Sequence, residues 1–428
     1  MIAKMLVILL LAFSAVAPSA RTVGTAPVIE IRDAFPMSLP SGEDDSGRPL
    51  SIDSNSPAEW DSDGNLFVFT SSQWPYRSSG ASLFELSWPA EPVSIGTRPG
   101  VKGGQWIEAT FRTDAGVLYG WYHNEPPDVC DDSRVTAPRI GALVSYDDGL
   151  SWQDLGIVLE APPGSLYCDT KNYYFGGGNG DFSVILDQGG QYFYFFISTY
   201  HRQVGEQGVA VARMRFEDRD NPAGKIWKWS NGGWNEPGLG GHVTTTFPVV
   251  TDWHRENANA FWGPSVHYNT YLDTYVMLLN HAVDRYWSQE GIYISFNDDP
   301  EDPMGWSFPQ RLPIYDRLGW YPQVIGTDGG ETDKLAGQVA RLFISGQSSR
   351  EIVFHRTDGN EDEDLDTPPR PSPKERGAPI IRGALRGQPE NLFSGDASRP
   401  RSRRLTKNRR GEPLPDSGSG PQPRGKKD

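Results

Sequence analysis

"GDFSVILDQGGQYFYFFIST", residues 180–199, breaks at a polar turn, Asp187 to Gly190, into a strand-like half and a very aromatic second half. Branched and aromatic side chains favour the pleated surface of a sheet, and the Asp and Gly between them suit a tight turn. The same phrase recurs in "NSPAEWDSDGNLFVFTSS" (55–72), "WIEATFRTDAGVLYGWYHN" (106–124), "WGPSVHYNTYLDTYVMLLNH" (262–281) and "WYPQVIGTDGGETDKLAGQVARLFISG" (320–346). These openings fall roughly 50 to 80 residues apart, the spacing of four-stranded propeller blades with inserted loops.

Further strand-like runs follow each opening: "SLFELS" (82–87), "GALVSYDDGLSWQDLGIVL" (141–159), "GVAVARMRF" with "IWKWSNGGW" (208–216 and 226–234), "GIYISFNDDPEDPMGWSFPQRL" (291–312) and "REIVFHR" (350–356). Four strands in each of five units describe an all-β fold, a five-bladed β-propeller. The last unit is one outer strand short. "APVIEIRDAF" (26–35) is placed to supply it and close the ring with an N-terminal strand. Closure of this kind protects sheet edges that an open β-protein leaves exposed. A pair of β-sandwiches is the competing architecture, but it does not require one opening phrase five times.

The ends read differently. Residues 1–20, "MIAKMLVILLLAFSAVAPSA", carry Lys4, an apolar run too short for a bilayer, and small residues at Ala15, Ala17 and Ala20, the pattern of a secretory signal peptide. Residues 358–428 are rich in charge, Pro, Gly and Ser and poor in aromatics, the composition of a disordered tail. Between them, residues 24–357 form one large domain. Its 47 Gly, 35 Pro, 14 Trp, 17 Tyr and 19 Phe across the chain fit many short strands joined by tight turns.

A net charge of -15 argues against a nucleic-acid partner, which needs a surplus of Lys and Arg. The expectation is a secreted or periplasmic monomer with no membrane span. Cys130 and Cys168 are free to pair in an oxidising compartment or to remain thiols, and with no neighbouring His in sequence they form no metal site.

"SYDDGLSW" (145–152) fits the Asp-box pattern S-x-D-x-G-x-[ST]-W of sialidases and other propellers. Its chemistry is that of a turn: Asp147 bonds amides, Gly149 permits positive φ, and Trp152 packs beneath. In a propeller the innermost strands line a central channel, with their first residues at its mouth. Aligning the five openings places Ser56-Pro57, Glu108-Ala109, Asp181-Phe182, Gly263-Pro264 and Tyr321-Pro322 there.

This pattern, from about residue 50 to 356, resembles the five-bladed propeller glycoside hydrolases, the group of arabinanases and xylosidases in families 43, 32 and 117. The resemblance implies hydrolysis of glycosidic bonds by a carboxylate acid, base and pKa modulator at the mouth. Two blades depart from it. Ser56 stands where those enzymes keep an Asp before Pro, with Asp53 the nearest acid, and Trp262-Gly263-Pro264 lacks the Glu of a Glu-Gly-Pro phrase.

The carboxylate set is therefore Glu108 as general acid, Asp53 as base and Asp181 as the group that tunes or orients them. Hydrolysis needs one protonated and one ionised carboxyl about the sugar. The same acids also suit amide-bonding turns. Trp106, Trp262, Trp320 and Tyr321 stand beside the register positions and offer flat faces to sugar rings or to neighbouring blades. His123 and His267 are candidate ligand contacts or satisfied strand histidines. No cofactor or metal ligand set is indicated, beyond a structural Ca²⁺ that a propeller channel can hold. A non-catalytic carbohydrate-binding propeller keeps the aromatics without a working acid and base. An exo-sialidase fits the Asp-box but not the count of five blades or the lack of Arg at the register.

Overall fold

The computed structural model describes residues 27–357, apart from Thr97, Ser133 and Arg317. The expected signal peptide and charged tail lie outside the described residues. Five antiparallel sheets follow one another in chain order, and nearly every regular element is a strand. Among the described residues no helix is long and apolar enough to cross a membrane.

Blade one runs Ala58–Trp60, Leu66–Ser72, Trp74–Gly80 and Glu91–Pro92 from the channel outward. Its third strand is Trp74–Gly80, so "SLFELS" forms the turn beyond it rather than a strand. Blade two is Gly104–Arg112, Leu118–Glu125, Arg139–Ser145 and Ser151–Leu159. Blade three is Asn179–Leu186, Tyr192–Thr199, Gly208–Arg215 and Ile226–Ser230, extended by Gly233–Pro237. Blade four is Ala260–Asn269, Thr274–Ala282, Gln289–Asn297 and the short Gln310–Arg311.

Blade five is Pro322–Gly326, Val339–Ile344, Gln347–His355 and, outermost, the N-terminal strand Val28–Ser38. Val28 pairs with His355 and Ile31 with Ile352, so the ring closes through its own beginning. This is the closure that the missing fifth-blade strand called for.

Strand alternation explains why the ring holds together. Successive side chains point to opposite faces, so Leu66 and Val68 pack with Ile325 and Phe343 of blade five. Phe67 and Phe69 turn the other way, onto Ile107, Leu118 and Trp152 of blade two. Equivalent cores join blades two and three, three and four, and four and five. Each fully buried large apolar side chain stabilises the fold by about 1.5–3 kcal/mol. The sixth apolar cluster lies at the mouth, where Phe175, Tyr200, Trp253, Trp262, Trp287 and Tyr321 meet.

The Asp-box turn is satisfied internally. Ser145 Oγ donates to Asp147 Oδ1 at 2.8 Å, Ser151 N and Oγ donate to the same carboxylate at 2.9 and 2.6 Å, and Trp152 Nε1 reaches Gly149 O at 2.9 Å. Gly149 sits at φ 82°, where a Cβ would also strike the Phe69 ring. Asp147 thus shapes a hairpin at the outer side of blade two.

Candidate active site

The inner strands of blades two, three and four open irregularly, and the irregularity aims a side chain. The ladder slips between Ile107 and Ala109 in blade two, between Gly180 and Phe182 in blade three, and between Trp262 and Ser265 in blade four. Glu108, Asp181 and the Gly263-Pro264 pair are the extra residues. A bulge turns its residue out of the pleat and increases the local twist. Asp181 has φ 41°, Gly263 φ 57° and Tyr321 φ 54°. Positive φ at Asp or Tyr costs on the order of 1–3 kcal/mol and persists where surrounding structure enforces it.

The bulges are also stitched to one another. Ile107 N donates to Ser71 Oγ at 3.1 Å, Phe182 N to Glu108 Oε2 at 2.7 Å, Gly263 N to Ser198 Oγ at 2.9 Å and Ser56 N to Gln323 Oε1 at 2.8 Å. Asn55 Nδ2 spans the channel to Phe182 O and Pro264 O at 3.0 and 3.1 Å. The bulged backbone therefore has side-chain partners from the next blade, in place of the ladder bonds it gives up.

Within this collar Glu108 and Asp181, each 2 % exposed, lie with His123 so that one ligand atom of each falls within 4.8 Å of the others. Asp181 accepts hydrogen bonds from the hydroxyls of Tyr200 and, at 3.0 Å, Tyr321. His123 Nδ1 accepts the Asp181 amide at 3.1 Å and lies 3.7 Å from Glu108 Oε1, while its Nε2 is 3.3 Å from Glu125 Oε1. An imidazole accepting an amide at Nδ1 carries its proton on Nε2. That commitment of Nδ1 leaves the trio better suited to sharing protons than to gripping a metal ion.

Electrostatics follows from burial and crowding. Desolvation pushes Glu108 up to about 8, helped by the Asp181 and Asp53 carboxylates and opposed by His123 and the Phe182 amide. Desolvation, with Glu125 and Asp181 nearby, pushes Asp53 up to about 7. Asp181 is raised as well, chiefly by burial, against the pull of His123 and its two tyrosines. Burial alone would lower His123, but Glu125, Asp181 and Glu108 outweigh it and raise the ring to about 9. Gaining a second proton would put Nδ1–H against the Asp181 N–H, so protonation and the amide contact are alternatives. Several acids that cannot all ionise together hold their protons to different pH, which is how acid and base coexist in one site.

The structure brings Glu108, Asp181 and His123 together, with Asp53 close enough for its charge to act on them. Among the aromatics, Tyr321 touches the acids directly through its hydroxyl, Trp106 lies edge-on to His123 with ring centroids 5.5 Å apart, and Trp320 is half-buried at the mouth. Trp262 is fully buried against Trp287, Trp320 and Tyr321. His267 lies away from the acids, beside Phe354, where burial pushes it down to about 3.

Sequence reasoning passed over Tyr200, Tyr174 and the channel-spanning Asn55. Tyr200 closes the aromatic strand of blade three with a hydroxyl-bearing ring, a readable sign that its polar tip needs a buried partner. Tyr174 sits in the loop before blade three, and no strand pattern reports on it. Glu125, one turn of the pleat beyond His123, is positioned by the strand Leu118–Glu125. The loop that follows Glu125 and the loop that carries Tyr174 are joined by the disulfide Cys130–Cys168, with Cα atoms 5.5 Å apart.

No family model matches the chain, and no curated protein matches it. Several solved structures are similar. An exo-β-1,3-galactanase from Phanerochaete chrysosporium, solved with galactose, shares 11% identity over 75% of this chain and 65% of that one, with a TM-score of 0.43; the chain thus spans just under two thirds of its length. An endo-arabinase from Bacteroides thetaiotaomicron shares 13% over 73% and 96%, with a TM-score of 0.43. The arabinanase of Bacillus subtilis shares 12% over 71% and 94%, with a TM-score of 0.40.

Proposed function

We propose that the protein is an exported glycoside hydrolase acting on an oligosaccharide or polysaccharide at the propeller mouth. The observation that carries this reading is the meeting of Glu108 and Asp181 from two blades beside His123, with Asp53 near enough for its charge to act on Glu108, and with one carboxyl raised to about 8 and another to about 7. Near neutral pH Asp53 is in mid-titration and gives up its proton before Glu108 does.

In the reaction, Glu108 transfers its proton to the departing glycosidic oxygen as the bond to the anomeric carbon breaks. Asp53 takes a proton from the water that attacks that carbon. The closest oxygens of Glu108 and Asp181 lie within 4.8 Å, which suits a modulator that keeps its neighbour protonated better than an acid and base with water between them. Asp181, oriented by Tyr200 and Tyr321, then faces the positive charge that develops on the sugar. Balance is complete with water alone, and no cofactor is required. Trp106 beside His123, and Trp320 packed on Tyr174 at the mouth, offer apolar faces of the kind on which sugar rings stack.

The test compares wild type, Glu108→Gln and Asp181→Asn on arabinan, galactan and xylan. Sugar release by wild type, lost in both variants, is the expected outcome. Equal release by all three overturns the assignment. Calorimetric binding without release by wild type replaces it with a sugar-binding propeller.

A further inference from the structure

Blade three carries two strands beyond the four of a blade, Thr245–Pro248 against Gly208–Arg215 and Gly233–Pro237 at the outer edge. Gly233–Pro237 pairs with Ile226–Ser230 at the outer edge, with Trp234 opposite Trp229. Directly opposed residues share a face, and Trp227 lies two residues from Trp229, so all three tryptophans stand on one side. Lys228 points the other way and is fully buried, its Nζ donating to Glu160 O and Gly241 O at 2.6 and 2.9 Å. The hairpin is thereby anchored by its lysine side, and its tryptophan side faces outward.

That side is not finished as a core. Trp227 is 46 % exposed, although full burial of a ring of this size would contribute on the order of 2–3 kcal/mol. A cleft of about 230 Å³ opens between Trp227, Trp234 and Tyr192. Arg213, Arg215 and Lys225 line it with one acid, Asp218, while Glu301 and Glu217 reach the two arginines, in a chain whose net charge is -15. Arg213 is held over the Tyr192 and Trp234 rings at 4.3 and 4.6 Å, with Nη1 bonded to Glu301 at 2.8 Å. Arg215 and Lys225 are exposed; Arg215 reaches Glu217 at 3.4 Å and Lys225 meets Asp218 at 3.9 Å, both surface pairs that an incoming anion can displace. The cleft lies three to four strands from the channel, roughly 15–20 Å at ordinary strand spacing.

We propose that this cleft is a second saccharide-binding site, for a sugar unit bearing a carboxylate or a sulfate. The tryptophan faces take the apolar side of the ring, and Arg215 and Lys225 take the anion. Neither group belongs to the mouth, so the site stands whether or not the mouth cleaves.

The full chain carrying Glu108→Gln, which cannot consume its probe, is run in native gels containing polygalacturonate, carrageenan or neutral galactan. Polygalacturonate supplies carboxylates and carrageenan supplies sulfates, so the two gels separate the sources of charge. At least one acidic polymer should retard the protein more than galactan does, and Trp227→Ala or Arg215→Gln with Lys225→Gln should weaken that retardation about tenfold. These exposed substitutions should leave the melting temperature unchanged. Retardation that survives in both variants arises elsewhere, the basic stretch Arg399 to Arg410 included, and overturns the proposal. So does galactan retardation equal to that of both acidic polymers.

Discussion

The Glu108 carboxylate on blade two accepts the amide of Phe182 on blade three at 2.7 Å, one residue past Asp181. One side chain therefore joins two blades and stands as the candidate proton donor. The two roles demand different things of it: the first needs an acceptor oxygen, the second an exchangeable proton.

Glu108→Gln separates them. Glutamine keeps an oxygen for the Phe182 amide but cannot donate a proton on demand, so glycan turnover should fall by about 10²–10⁴-fold with the melting curve nearly unmoved. Glu108→Ala should lose turnover and also destabilise by about 1–3 kcal/mol, because a buried amide is left unpaired. Paired rate and urea-denaturation measurements check both.

The rate should be bell-shaped in pH, rising as Asp53 ionises near 7 and falling as Glu108 loses its proton near 8. Both limbs belong to the interacting cluster. Stability carries a related sign. The folded chain keeps protons on these two carboxyls that the unfolded chain releases near 3.8 and 4.5, so their contribution declines as pH rises from about 4 to about 8. Glu108→Gln should flatten that decline in denaturation curves recorded across the interval.

Tyr321→Phe removes the 3.0 Å donor to Asp181 while keeping the ring that packs on Trp262. A loss of about 1–3 kcal/mol in stability is expected from the orphaned carboxylate oxygen. The charged form of Asp181 also loses support, so its carboxyl moves further up; its charge then raises Asp53 and Glu108 less, and both limbs of the rate profile should move to lower pH. A profile identical to wild type would remove Tyr321 from the site's chemistry.

Cys130 and Cys168 are 38 residues apart in sequence. Opening that loop in the unfolded chain should cost up to about 4 kcal/mol of stability on the chain-entropy account. Cys130→Ser with Cys168→Ser should therefore melt earlier. It should also raise KM more than it lowers kcat, because the freed loops carry Tyr174 and adjoin Glu125 at the mouth while Glu108 and Asp181 are held by strands.

The fold was legible because its signal is local and repeated. Asp187 to Gly190, flanked by alternating and aromatic runs, reads the same way in each blade, and the strand missing from blade five identified Val28–Ser38 as its partner. "SLFELS" misled because its apolar residues belong to a turn packed beneath blade one, where Leu83 is buried without pairing in a ladder. The acids of blades two and three were legible from register, since a bulge falls at the same place in each opening. Tyr174 was not, because the loop that delivers it obeys no period. Trp262 shows the limit of reading aromatics: a tryptophan at the mouth register and one inside the mouth cluster have the same sequence signature, and packing by Trp287 decides between them.

The pairing of Val28 with His355 brings two positions from opposite ends of the domain into one rung. Whatever precedes the first and follows the second departs from a common point on the rim of blade five. A short linker could therefore join those positions, and new ends could be cut at an exposed hairpin such as Asp61 to Asn65, giving a circularly permuted chain with every blade intact. In that chain the fifth sheet would be assembled from neighbouring sequence instead of waiting for the two extremities to meet.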